Sequence, residues 1–135
     1  MPANINPIYP LTPKVSWGQI ATANIAKDGT GTVVTVFTAG ANGARVDYLK
    51  VRAKGTNVAT VLRIFINNGS DPTVADNNAL VLEQTIAATT NSETASLADN
   101  LITLDMSIPA GYKITCTIGT TVAAGLVVTA FAGDY

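Results

Sequence analysis

Between Val58 and Asn67 the chain keeps a strict two-residue period. Val58, Thr60, Leu62, Ile64 and Ile66 fall on one side, and Ala59, Val61, Arg63 and Phe65 on the other. The period returns from Tyr112 to Ile118, with Tyr112, Ile114, Cys116 and Ile118 inward and Lys113, Thr115 and Thr117 outward. No stretch of about 12 residues or more holds the i, i+3, i+4 rhythm of an amphipathic helix. Turn residues punctuate the chain at short intervals, as at Asp28-Gly29, Asn42-Gly43 and Pro109-Ala110-Gly111. Such a chain folds as a sandwich or barrel of short strands.

Eight strands are expected, over residues 15–26, 32–38, 45–53, 58–67, 80–87, 101–106, 112–118 and 122–132. In the fourth both faces are apolar, so cover on both sides is expected. In the fifth, Leu80, Leu82 and Ile86 are expected inward. Phe37 and Phe65 are assigned to the core. Eight strands with one long loop, 68–78, fit an all-β, single-domain, two-sheet antiparallel sandwich of jelly-roll type. A seven-stranded immunoglobulin-like sandwich fits less well, because it wants a buried Trp in its third strand and Trp17 stands near the start of the first.

Residues 1–13 differ from the rest. Pro2, Pro7, Pro10 and Pro13 each remove a backbone donor and restrict the preceding residue to extended geometry. The stretch therefore excludes a helix or a central strand. It also carries Ile5, Ile8, Tyr9 and Leu11, which a purely solvated tail lacks. It reads as an extended arm preceding a sandwich domain at 14–135, with Ile5, Ile8, Tyr9 and Leu11 as anchors and Trp17 fixing the root to the body. The arm either grips a neighbouring subunit or covers an edge of its own sandwich. Ordering 13 backbone residues costs roughly 13–26 kcal/mol from a fully flexible start, against roughly 12 kcal/mol for burying about 500 Å². Prolines lower that cost by restricting the free arm beforehand.

Composition narrows the function. The chain is 47% hydrophobic but only 13% charged, and charge depletion is a property of interface cores. A net charge of −1 gives no electrostatic support for nucleic acid. The longest apolar run, residues 122–132, is too short for a membrane helix of about 20 residues. No basic segment followed by an apolar stretch opens the chain, so synthesis in a cytoplasm is expected. Histidine is absent, which removes the commonest general base and the commonest transition-metal ligand. The single Cys116 rules out Cys/His zinc sites and reads as a small buried hydrophobe. Neither catalysis nor a cofactor is expected. The oxygen-rich loop 67–78 lacks the spacing of a calcium loop, and ordinary turn chemistry is the first reading of it, with a cation site as the alternative. Tyr48 shares a strand face with Lys50 and Arg52, a candidate exposed binding face.

Several segments are familiar. Pro2–Pro10, Gly29–Gly43, Arg63–Gly69, Gly119–Gly125 and the ending Gly133-Asp134-Tyr135 resemble small virion-associated proteins of tailed bacteriophages. The chain is similar in size and style to jelly-roll cement, or decoration, proteins. That resemblance implies a homotrimer bound to the major capsid protein on the outer capsid surface, assembled in the host cytoplasm. A head-fibre or tail-associated receptor- or glycan-binding protein, and a tail-tube or connector component, are the alternatives.

Overall fold

The computed structural model describes residues 8–135. Eight strands form two four-stranded antiparallel sheets. They are β1 (Thr12–Ile20), β2 (Val34–Thr38), β3 (Ala44–Ala53), β4 (Thr60–Asn67), β5 (Asn78–Ile86), β6 (Asp99–Ile108), β7 (Lys113–Ile118) and β8 (Leu126–Asp134). One sheet runs β1-β8-β3-β6 and the other β2-β7-β4-β5. The pairs β1/β8, β2/β7, β3/β6 and β4/β5 are those of one long hairpin wrapped onto itself, which is the jelly-roll topology. A single turn of 3₁₀ helix, Ala75–Asn77, interrupts the loop before β5.

The core lies between the sheets. Val46, Leu49 and Val51 of β3, with Leu126, Val128 and Ala130 of β8, face Leu62 and Ile64 of β4 and Ile114, Cys116 and Ile118 of β7. Phe65 is also fully buried, on the opposite side of β4, as its alternation demands. The segment 21–33 covers that outer side. Asn24 N donates to Ile118 O (2.7 Å) at one end of β7. Gly29, at φ +76°, lies against Asn78 near the other end, where an added Cβ would approach the Asn78 Cβ to 2.7 Å. The intervening cover buries Thr115 and Thr117.

The sequence expectation of a first strand over 15–26 is corrected here. β1 stops at Ile20 because its partner strand begins at Leu126, Ile20's register mate, and no ladder exists beyond it. A turn at Val122–Gly125, with Gly125 N donating to Val122 O, delays β8 past the expected 122. Leu80 is also corrected from core to surface. Between Ile64/Leu82 and Phe65/Leu80 the register slips by one residue. Such a bulge reverses the facing of everything beyond it.

β1 and β2 are edge strands of different sheets, brought together by side chains instead of a ladder. Ser16 Oγ donates to Val36 O (2.6 Å) and Lys14 Nζ to Thr38 O (2.6 Å). At Gly18 an added Cβ would collide with the Val34 Cγ1 and come within 3.0 Å of Thr35 O. Gly18→Val is expected to wedge the sheets apart and lower stability by about 1–3 kcal/mol. A reduced urea midpoint with unchanged slope would show it.

Candidate functional site

The root of the arm is fixed at the corner where β1 starts and β8 ends. Thr12 pairs with Asp134 and Pro13 with Gly133, so the last two arm residues belong to β1. Pro13 is tolerated because β1 is an edge strand. Leu11 N donates to Asp134 O (2.9 Å). Pro10 lies on Gly133, whose missing side chain leaves room for the ring. Lys14 Nζ pairs with Asp134 Oδ2 (3.1 Å) and lies 5.0 Å from the centroid of the Phe37 ring. The other carboxylate oxygen of Asp134 accepts from Gly40 N (3.1 Å). Asp134 thus ties β1, the end of β8 and the β2–β3 turn together.

Beyond this root Ile8, Tyr9 and Leu11 are exposed by 62%, 71% and 83%. They border an open cleft of about 600 Å³ lined by Ile8, Asn42, Ser107 and Tyr135. An adjoining hollow of about 450 Å³ adds Tyr9 and Leu11. Tyr135 and Ser107 share a hydroxyl hydrogen bond of 2.7 Å in its wall. Ile5, the remaining expected anchor, lies outside the described residues.

Trp17 is placed differently from its expected role. It is 62% exposed on the outer face of the β1-β8-β3-β6 sheet, pointing away from the body. The root is held instead by Pro10, Leu11, Lys14 and Asp134. Trp17 joins the second group of candidate residues. Across the strands, Trp17 aligns with Thr129, Lys50 and Leu101, and Val15 aligns with Phe131, Tyr48 and Thr103. Tyr48 is half-buried, with its ring stacked on Phe131 at 4.7 Å between centroids. Lys50 and Arg52 both reach Asp99 Oδ2, at 3.7 and 3.3 Å. Sequence reasoning missed Val15, Phe131 and Leu101 as members of this face.

Several side-chain oxygens of the 67–78 loop are engaged by the loop itself. Asn67 Oδ1 accepts from Gly69 N, Asn68 Oδ1 from Ser70 N, and Asp71 Oδ1 from the backbone N–H and hydroxyl of Thr73. Those two Thr73 donors hold the Asp71 carboxyl below the ordinary range, as the Thr30 hydroxyl and N–H do for Asp28. Among the described residues no group of three or more His, Cys, Asp or Glu could hold a metal ion.

No protein-family model matches the chain, and no curated protein matches it. Among solved structures it is similar to a chain of the cyanophage Pam1 capsid asymmetric unit. That match has 16% identity and a TM-score of 0.46, and covers 99% of this chain and 94% of the other. It is also similar to chains from infectious bursal disease virus, Gt strain (16% identity, TM-score 0.32) and Gx strain (15% identity, TM-score 0.36). Each of these covers 96% of this chain but 37% of the viral chain.

Burial pushes the Cys116 thiol up to about 12 from an ordinary 9.0. A thiol-specific reagent at pH 8 is expected to leave the folded protein unlabelled and to label it fully in denaturant. The folded value lies above the unfolded one. Stability from this group is therefore complete below about pH 9 and is lost as pH rises toward 12.

Proposed function

We propose that this chain is a structural virion protein of a tailed bacteriophage, a cement protein that seats on the outer capsid surface and holds the shell together. The single observation that carries the reading is the exposed apolar group Ile8, Tyr9 and Leu11, projecting from a root fixed to a rigid sandwich. Monomeric soluble proteins seldom leave such contiguous apolar side chains in water without a partner. The sequence resemblance to small phage virion proteins supports the same conclusion and names the partner, the major capsid protein. Catalysis has no part in the reading.

The mechanism is mechanical. Shell subunits under outward pressure from packaged DNA separate unless something spans them. The sandwich supplies a body that resists deformation, and Ile5, Ile8, Tyr9 and Leu11 supply the grip. Full burial of one such side chain is worth about 1.5–3 kcal/mol, so several together overcome the residual cost of ordering a proline-restricted segment.

The test is a triple substitution, Ile8→Ser, Tyr9→Ser and Leu11→Ser. These side chains are exposed, so the melting temperature is expected to hold, with stability changed by no more than about 0.5 kcal/mol. Occupancy on capsids assembled without this protein, then incubated with the variant and imaged by electron cryomicroscopy, is expected to fall at least roughly tenfold, about 1.4 kcal/mol. Undiminished occupancy would remove the arm as the grip.

A further inference from the structure

The arm and the exposed sheet face are parts of one surface. Strand alternation places Gly133 on the outer face of the β1-β8-β3-β6 sheet, and Pro10 rests on it. Gly133 is buried there, whereas Phe131 and Thr129 on the same face are only half-buried. Its row runs from Pro13 of β1 through Arg45 of β3 to Ser107 of β6. Ile8 shares a cleft with that Ser107. The chain from Leu11 back to Ile8 therefore crosses the strands from β1 toward β6, along the end of the face where β1 starts.

An apolar band adjoins that crossing. Val15, one row further, and Trp17 and Leu101, in the row after it, are exposed by 52%, 62% and 63%, beside the half-buried Tyr48–Phe131 stack. Elsewhere, the large apolar residues exposed among the described residues are Ile25, Val58 and Val74 in loops and Leu80 and Val81 on β5. Lys50 stands in the Trp17 row and Arg52 in the next, and the two share the carboxylate of Asp99. Positive charge therefore interrupts the band, and a surface that meets it must offer carboxylates among its apolar groups.

We infer that the body seats on the shell through this face, with the arm and the band of Val15, Trp17 and Leu101 contacting one capsid surface. The inference rests on the cement reading and adds the footprint to it. Continuity chooses the occupant. The arm lies across one end of the face, so the partner it grips lies over the band beside it. Size agrees, since the rows from Pro13 to Gln19 on four strands cover about 19 Å by about 20 Å, roughly 400 Å². Specific interfaces take about 800 Å² from each partner, so the face alone falls short and the arm makes up the difference. Contact between copies fits less well. A three-fold ring joins two different surfaces, and no second apolar patch of similar extent exists among the described residues.

Trp17→Ser combined with Leu101→Ser tests it, in the full-length protein added to capsids assembled without it. Both side chains are exposed, so circular dichroism is expected to show an unchanged fold. Capsid occupancy, counted by electron cryomicroscopy, is expected to fall roughly tenfold or more. Val58→Ser, in a loop away from the face, is expected to leave occupancy unchanged. Wild-type occupancy with the double variant, or an equal fall with Val58→Ser, overturns the inference and leaves the cement reading standing. A wild type that never binds capsids overturns both. A double variant that sediments with fewer copies than the wild type assigns the face to contact between copies, which also overturns the inference. The map of capsids decorated with the wild type needs no variant. It is expected to show Trp17 against the shell, and Trp17 facing solvent there would sink the inference.

Discussion

Every strand of this fold depends on how the two sheets are closed where β1 meets β2. A sandwich has edges, and an unpaired edge offers its backbone to any passing strand. Here the edge of one sheet lends polar side chains to the edge of the other. Ser16 and Lys14 donate to the carbonyls of Val36 and Thr38, and Gly18 lets the strands approach. Asp134 completes the seam by accepting from Lys14 and Gly40 at the corner. The same alternation that turns Lys14, Ser16 and Gly18 inward must turn Val15 and Trp17 outward. Closure of the seam and exposure of the apolar band are thus one geometric event.

The opposite sheet solves its exposure differently. Its outer side carries Phe65, Thr115 and Thr117, all buried beneath the 21–33 segment. The hydroxyls of Thr115 and Thr117 have no hydrogen-bond partner there. Burying a hydroxyl without a partner costs free energy, which the surrounding apolar burial offsets. One sheet is therefore sealed by its own chain, and the other is left open.

Local pattern made the central strands legible. β4 and β7 alternate without interruption, so their limits and facing are readable to within two residues, and Phe37, Phe65 and Cys116 are buried as expected. Features that depend on distant partners were hidden. Residues 21–26 look like strand until one knows that β8 begins opposite Ile20. Leu80 looks inward until the register slip beside Phe65 is known. The convergence of Trp17 with Tyr48 and Lys50 needs the order β1-β8-β3, which joins parts of the chain more than a hundred residues apart. The one local clue was parity, since Trp17 and Val15 share a side opposite Ile20.

The corner shared by the start of β1 and the end of β8 has a mechanical consequence. β1 lies antiparallel to β8 through nine register pairs, from Thr12–Asp134 to Ile20–Leu126. A tug on the leading segment directed along the β1 axis loads all of those pairs at once, in shear, together with the seam to β2. The same tug directed sideways peels them one after another, starting at Thr12. The body therefore resists tension best when the leading segment leaves it in line with its first strand, and that direction fixes the orientation in which the molecule can bear load.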